Sequence, residues 1–251
     1  MGKHNTAGRH QQILELLQQQ GEVRVDELAG YFHLSSVTIR KDLDVLERAG
    51  QLVRRHGGAI LASTRRRPAL SPYKQAIARE ALRLVRPRSR IILDSGHTTA
   101  AMLPGLGQMP GLVVMTNALS VANALSSPEQ GPTLLMSGGT WDPQSASFQG
   151  QQAEQALRAY DFDQLFTGAD GIDPQRGTTS FSELLGLSRV MAEVAREVVV
   201  LAEADKVGRR MPNLELPWPQ VQILITDSRL PDRERAGLEA HGIRLICAIP
   251  D

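Results

Sequence analysis

The sequence predicts a two-domain α/β protein, in which a small helical domain precedes a larger domain built on a mostly parallel sheet. Helical periodicity dominates the first fifty residues, whereas buried strands alternate with helices beyond residue 76. The charge divides at a similar place, because residues 1–67 carry a net charge of +4 and the remainder carries −3. A basic domain beside a slightly acidic one indicates a polyanionic partner for the first, although ordinary charge scatter gives the same difference.

The composition of the 251 residues excludes several classes of protein. It is 41% hydrophobic, enough for a core, yet it contains no run of eighteen apolar residues and no N-terminal signal-peptide stretch. Cys247 is the single cysteine, so neither an intrachain disulfide nor a thiolate metal cluster is expected. We therefore predict a cytoplasmic protein with no membrane partner, no bound metal and no cofactor.

Three helices are predicted in the N-terminal domain. The first begins near Arg9, and the second is short and is capped by Asp26 or by the residue before it. After a tight turn, the third helix runs from 36 to 49, and its apolar stripe comprises Ile39, Leu43 and Leu46. Two helices separated by a small turn are typical of a helix-turn-helix motif, whose second helix enters the major groove of DNA.

The start of the third helix combines small hydroxyl side chains with adjacent cations. Small hydroxyls permit a close approach to DNA, and an arginine binds guanine through two hydrogen bonds. The alternative is that a serine only caps the helix and that the cations form a solvated face. The candidate DNA-binding residues here are Ser35, Ser36, Thr38, Arg40 and Lys41.

The segment "QLVRRHGGAIL", which begins at Gln51, predicts a β-hairpin directly after the third helix. Its apolar ends form two short strands, and its tip carries Arg54, Arg55 and His56, which we also predict to contact DNA. A helix-turn-helix followed by a basic hairpin is typical of a winged helix-turn-helix domain. We predict this domain over residues 1–62, a linker over 63–75 that contains three arginines, and a second domain over 76–251.

Several strands of the second domain end in polar turns. They are followed by "DSGHTT" from Asp94, "TN" from Thr116, "GADGID" from Gly168 and "ADK" from Ala204. Ligands bind at the carboxyl ends of strands in sheets of this kind, so these turns predict a small-molecule site. Backbone N–H groups and threonine hydroxyls at the first turn suit a phosphate, although the same residues also serve as ordinary turn chemistry.

The N-terminal motifs resemble the DeoR family of bacterial transcriptional repressors. The resemblance rests on Arg9, on "TIRKDL" from Thr38 and on "RRHGGA" from Arg54. The second domain is similar to the sensor domain of that family, through "DSGHTT", "FTGADGID", "VVVLAEADKVG" and "LITDS". That domain has a fold similar to ribose-5-phosphate isomerase and CoA transferases.

The resemblance implies a repressor of a sugar or sugar-alcohol operon that a phosphorylated sugar releases from operator DNA. It implies that the phosphate is held by Gly96, Thr98 and Thr99, that Asp170 binds sugar hydroxyls and that Lys206 adds a cation. Two positions depart from the family's pattern. His97 stands where the family usually has a serine or threonine, and "AEADK" replaces the more common Asp-Ser-Ser-Lys. "QSASFQG" and "GTTSFSELLGLS" are most similar to the glucitol (sorbitol) operon repressor branch.

Two other functions are weighed against this one. An isomerase-like enzyme with an accessory DNA-binding domain would use acid–base groups from the set Asp170, Asp173, Glu183 and Lys206. No nucleophile–base pair is fixed by spacing, however, so we predict that the chain is not an enzyme. An RNA-binding regulator is disfavoured because only 4% of residues are aromatic. One DNA-binding domain makes few contacts, so a homo-oligomer, at least a dimer, is expected.

Overall fold

The computed structural model describes residues 6–20, 22–49, 51–55, 58–61, 70–126 and 131–251. It divides into two compact units, Met1–Ala69 and Leu70–Asp251. The elements of the first unit are α1 (Thr6–Gln20), β1 (Glu22–Arg24), α2 (Val25–Phe32), α3 (Ser36–Arg48), β2 (Leu52–Arg55) and β3 (Gly58–Leu61). Within the described residues, no helix is long and apolar enough to cross a membrane.

The three helices of the first unit pack around a small apolar core. The predicted stripe of α3 lies in that core, together with residues of the other elements: Ile13, Leu17, Leu28, Ile39, Leu43, Leu46 and Leu52. The prediction that Asp26 or Val25 caps α2 was wrong. The helix begins at Val25, and its N-cap residue Arg24 makes no side-chain capping bond. His33 adopts a left-handed conformation (φ 53°) and ends α2.

The wing contains a strand that the sequence did not predict. β1 pairs antiparallel with β3, and β3 pairs with β2, so that β3 is the central strand of a three-stranded sheet. Gly58 in β3 lies against the backbone of Val23, where a Cβ atom would collide with the Val23 carbonyl oxygen. The sheet thus ties the segment between α1 and α2 to the hairpin that follows α3.

The second unit alternates strands with helices. Its helices are α4 (Pro72–Leu84), α5 (Leu103–Leu106), α6 (Leu119–Leu125), α7 (Gln151–Arg158), α8 (Gly186–Glu193) and α9 (Asp232–Glu239). Its strands are β4 (Arg90–Leu93), β5 (Val113–Thr116), β6 (Thr133–Met136), β7 (Thr140–Asp142), β8 (Ser147–Gln149), β9 (Gln164–Thr167), β10 (Gly171–Asp173), β11 (Gly177–Ser180), β12 (Val198–Leu201), β13 (Asn213–Pro217), β14 (Ile223–Asp227) and β15 (Arg244–Ala248).

A parallel seven-stranded sheet forms the centre of this unit, in the order β15-β14-β12-β9-β4-β5-β6. Both of its faces are covered, which explains why its strands read as continuous apolar runs. Ile91 and Leu93 of β4 enter one hydrophobic cluster with α4 and α6, whereas Ile92 enters a second cluster with α7 and α8. The predicted α/β class is therefore confirmed.

Three features differ from the sequence-based expectation. The helix expected near Ile77 begins at Pro72, because the Ser71 hydroxyl caps it by accepting from the Lys74 N–H at 3.1 Å, so the linker predicted over 63–75 ends in helix. The predicted helix after the first polar turn is a 3-10 turn, Thr99–Met102, followed by the single-turn α5. A separate antiparallel sheet, in the order β10-β11-β13, accompanies the parallel one.

Candidate DNA interface and effector site

The first turn of α3 is organised by its hydroxyl side chains. Ser35 is the N-cap, and its Oγ accepts a hydrogen bond from the Thr38 N–H at 3.2 Å. The two hydroxyls also share a hydrogen bond of 2.9 Å. The capping interpretation therefore holds for Ser35, with Thr38 as the donor to the cap, and it fixes the backbone direction at the point where the helix would approach DNA.

The solvent-facing side of α3 carries both predicted cations. Arg40 and Lys41 are exposed, and neither forms an ion pair with a described carboxylate. Val37 shares this side and is 57% exposed, a feature that sequence reasoning missed. The sequence could have indicated this exposure, because Val37 is an apolar residue that lies outside the stripe of Ile39, Leu43 and Leu46. An exposed apolar side chain beside cations suits contact with a thymine methyl group.

A buried ion pair holds α3 against α1. The Asp42 carboxylate accepts hydrogen bonds from Arg9 Nε at 2.7 Å and Arg9 Nη2 at 2.9 Å, and His10 Nε2 lies 3.0 Å away. Burial alone would raise the pKa of Asp42, but the hydrogen bonds from Arg9 and His10 hold it below its ordinary value. Arg9, one of the motif residues, therefore positions the helix rather than facing DNA.

The wing is attached to α3 through Arg54. Its guanidinium pairs with Asp44, and its backbone N–H donates to Glu47 Oε1 at 2.8 Å. A paired guanidinium is partly neutralised, so Arg54 is less suited to phosphate than an unpaired cation. The side chain of Arg55 and the whole of His56 lie outside the described residues, as do the linker arginines.

In the second unit, the predicted effector residues follow neighbouring strands of the parallel sheet. Gly96, Thr98 and Thr99 follow β4, Asp170 follows β9 and Lys206 follows β12, and these strands are adjacent in the sheet. The ends of β4 and β9 are joined by a hydrogen bond of 2.8 Å from Thr167 Oγ1 to Asp94 Oδ2. The topology thus brings the predicted residues to one edge, where ligands bind in such sheets.

The turn after β4 is built around Gly96. Its φ of 151° belongs to a conformation that side chains rarely adopt. The buried Thr99 hydroxyl donates to the carbonyl oxygens of Asp94, at 2.9 Å, and Gly96, at 3.1 Å, so it holds the turn instead of facing a ligand. The backbone N–H groups of Gly96 and Thr98 bond to no described group, which leaves two donors for an anion.

Asp170 lies on an exposed loop between the two sheets. One of its carboxylate oxygens, Oδ2, accepts hydrogen bonds from the Ser180 hydroxyl at 2.8 Å and from the Phe181 N–H at 3.4 Å. These bonds orient the carboxylate and leave its second oxygen without a described partner. Such a carboxylate is suited to accept hydrogen bonds from hydroxyl groups.

Lys206 is a half-buried residue in the 3-10 turn Ala204–Lys206. Among the described carboxylates none pairs with it, because Glu203 contacts Lys74 Nζ at 3.3 Å and Asp205 contacts Arg209 at 3.9 Å. A structural ion pair with either neighbour therefore does not account for Lys206. Glu203 instead accepts from the Ser71 hydroxyl at 2.7 Å and anchors the start of α4, which explains one departure from the family pattern.

Further acidic groups near this edge were not predicted. Glu215 on β13 is half-buried, and its removal from solvent, together with the charges of Asp94 and Asp170, raises its pKa to about 7. Burial likewise raises the pKa of Asp94. No sequence pattern indicated Glu215, since it lies in a short strand of the smaller sheet. Among the described residues, no group of histidine, cysteine and acidic side chains could hold a metal ion.

Comparisons with known proteins agree with this arrangement. Residues 9–65 match the DeoR-like helix-turn-helix domain, and residues 71–228 match the DeoR C terminal sensor domain. A putative aga operon transcriptional repressor from Escherichia coli O157:H7 is 37% identical over 96% of this chain and 93% of its own length. The regulator UlaR from Shigella dysenteriae serotype 1 is 29% identical over 96% of this chain and 98% of its own length.

Among solved structures, ribose 5-phosphate isomerase A from Methanocaldococcus jannaschii is 20% identical over 53% of each chain, with a TM-score of 0.40. The relatives named above are regulators of transcription and not isomerases. The two family models together span both units of the structure. The chain therefore belongs to the DeoR family of transcriptional regulators.

Proposed function

We propose that this protein is a repressor of a sugar or sugar-alcohol catabolic operon, and that a phosphorylated sugar releases it from its operator. The observation that carries this proposal is the pairing of two surfaces in one chain. The first unit presents Arg40 and Lys41 on the open side of α3. The second places backbone donors, Lys206 and Asp170 at neighbouring strand ends.

The first surface supports recognition of double-stranded DNA. The buried pair between Arg9 and Asp42 sets the position of α3, and its capped first turn fixes where the helix begins. Arg40 is suited to a base edge, Lys41 to a phosphate and Val37 to a thymine methyl group. Ser36 lies at the first helical position, where backbone and hydroxyl donors reach phosphate oxygens.

The second surface supports recognition of a sugar phosphate. Two backbone N–H groups at the Gly96 turn and the ammonium group of Lys206 provide donors for a phosphate, which carries about two negative charges near neutral pH. The Asp170 carboxylate then accepts hydrogen bonds from hydroxyl groups of the sugar. The sequence resemblance to the glucitol branch makes a hexitol phosphate the first ligand to test, while the name of the relative from Escherichia coli O157:H7 refers to the aga operon.

Assembly and location follow from the same proposal. Specific operator binding by a helix-turn-helix protein uses two half-sites, so the working form is a homodimer or a tetramer. A regulator bound to its operator acts in the cytoplasm of a prokaryotic cell.

The experiment that tests this function measures release of DNA. The purified full chain is mixed with a fluorescent fragment from upstream of its own operon, and a panel of phosphorylated sugars and sugar alcohols is added. We expect one member to lower the anisotropy of the fragment, with its unphosphorylated form as the control. Retention of the fragment by every member of the panel contradicts the proposal.

A further inference from the structure

A cluster of three carboxylates lies beside the proposed effector site. Asp94 ends β4, Asp170 follows the neighbouring strand β9, and Glu215 belongs to the smaller sheet. Thr178 and Ser180, two positions apart on β11, contact Glu215 at 3.4 Å and Asp170 at 2.8 Å respectively. The cluster therefore spans the carboxyl edge of the parallel sheet and the antiparallel sheet beside it.

The carboxylates of this cluster are bound by hydrogen bonds and not by ion pairs within the described residues. None of the three carboxylates forms an ion pair with a described cation, although ion pairs occur elsewhere in this unit. Their hydrogen bonds come from neutral donors, which include the Ser188 hydroxyl on Glu215 at 2.8 Å and the Ser95 N–H on Asp94 at 2.7 Å. Burial first, and then the charges of Asp94 and Asp170, raise the pKa of Glu215 to about 7.

Asn117 supplies an independent indication that a ligand group belongs here. It follows β5, the neighbour of β4, and its side chain is 1% exposed. Its amide faces the Asp94 carboxylate and lowers the pKa of that group, yet neither Nδ2 nor Oδ1 makes a hydrogen bond with any described atom. A buried amide with both of its polar atoms unused is uncommon in folded proteins unless water or a ligand completes its bonds.

We propose that Asp94, Asp170, Glu215 and Asn117 form a hydroxyl-selecting wall, which binds hydroxyl groups of the sugar and rejects ligands that carry a carboxylate in place of a terminal hydroxyl. This inference rests on the proposed function and specifies the class of sugar phosphate. Carboxylate oxygens accept hydrogen bonds from the hydroxyl groups of a polyol. A sugar-acid phosphate would place a further negative charge against the carboxylates of the wall in a partly dry site, where like charges repel strongly.

The test compares matched pairs of ligands on the full chain. Each pair shares its carbon skeleton and phosphate and differs at carbon 1: glucitol 6-phosphate against 6-phosphogluconate, with the corresponding galactitol and mannitol pairs. Calorimetric titration at pH 8, above the Glu215 pKa of about 7, gives the affinity of each ligand. We expect the alditol phosphate of the pair that binds to be at least about tenfold tighter than its aldonate partner, the size expected for one close like-charge contact.

Variants connect that preference to the wall. Glu215→Gln keeps the size of the side chain and, at pH 8 where the carboxyl with its pKa of about 7 is mostly ionised, removes one charge, so the preference for the alditol phosphate should narrow about tenfold. Asp170→Asn should narrow it in the same direction, which guards against a folding defect in either variant alone. Glu239→Gln, on the exposed face of α9, removes a charge away from the wall and should leave the preference unchanged. Melting temperatures without ligand verify that each variant is folded.

The outcomes separate the two proposals. Equal or tighter binding of the aldonate member overturns the wall and leaves the proposed function standing, as does a preference that survives in both Glu215→Gln and Asp170→Asn. If no ligand of the three pairs binds, the proposal of a hydroxyl-selecting wall is also overturned. Failure of the whole panel of phosphorylated sugars to release operator DNA overturns the proposed function itself.

Discussion

At the scale of single residues, charged side chains in this protein divide into those that hold the structure and those that remain available. Arg9, Asp42 and Arg54 are paired inside the first unit, whereas Arg40 and Lys41 are exposed on α3. All five looked alike as charged residues within a basic segment. Whether a cation stabilises the domain or remains available to contact DNA depends on whether a carboxylate lies beside it. Only the folded structure shows which carboxylates do.

The pair between Arg9 and Asp42 should be the most sensitive charge pair of the first unit. Arg9→Ala leaves a buried carboxylate without its main partner, and we expect a loss of about 3–5 kcal/mol in the free energy of unfolding of this unit. Because the pKa of Asp42 is lowered in the folded protein, its contribution is present above the unfolded pKa and is lost as the pH falls through the folded pKa. Urea denaturation followed by circular dichroism measures the loss, and Arg48→Ala at the exposed end of α3 is the matched control. Equal stability of the two variants would show that the pair contributes nothing.

Arg40 should contribute to sequence recognition. Arg40→Ala should weaken binding to the operator by about 1–3 kcal/mol, the usual contribution of a good base contact, and should affect random DNA much less. Binding to both DNAs is measured by fluorescence anisotropy at one fixed salt concentration. Equal losses on the two DNAs would instead make Arg40 a phosphate contact.

Glu215 should make stability depend on pH. Its pKa is raised to about 7, so the folded state holds a proton that the unfolded state releases near its ordinary value of 4.5. Stability from this group is therefore full below about pH 4.5 and falls as the pH rises through about 7. Glu215→Gln imitates the protonated form and should raise the free energy of unfolding at pH 8 by about 1–3 kcal/mol, with little change at pH 5. An equal effect at both pH values would remove the titration of Glu215 as its cause.

At the scale of elements, apolar patterning made the strands of the parallel sheet and the main helices predictable, and strands without such a pattern were missed. The stripe of α3 and the alternating strands and helices of the second unit follow directly from apolar periodicity. β1 and the strands of the sheet β10-β11-β13 were missed, because they lack the continuous apolar runs that mark the buried strands of the parallel sheet. Glu215 was missed as a site residue because its surroundings come from other elements, whereas Asn117 belongs to one of the polar strand ends that were expected at the site. The turn of Gly96 was anticipated, but the Thr99 hydroxyl proved to be bound to the backbone.

The turn that carries Lys206 should be needed for the response to ligand. Lys206→Ala removes an ammonium group that pairs with no described carboxylate, so operator binding and the melting temperature without ligand should be retained while release by ligand is lost. Lys74→Ala is a matched control, because it removes a lysine that pairs with Glu203 and should lower stability but keep the response. Release of Lys206→Ala at the wild-type ligand concentration would show that the phosphate is bound elsewhere.

At the scale of the whole molecule, the DNA-binding unit and the effector unit have separate cores, and function requires that their binding equilibria be coupled. A ligand shifts such an equilibrium only by its differential affinity for the two states, typically by about 1–3 kcal/mol. Linkage makes this coupling reciprocal: if a sugar phosphate weakens operator binding, the operator must weaken binding of the sugar phosphate by the same factor.

The most direct test is therefore a titration of the full chain with the releasing sugar phosphate, performed with and without saturating operator DNA. We predict that the dissociation constant for the ligand rises by about 5–150-fold when operator is bound, matching the loss of operator affinity caused by the ligand. Identical ligand affinity in the two titrations would contradict release by an effector and would leave DNA binding and ligand binding as independent properties of the two units.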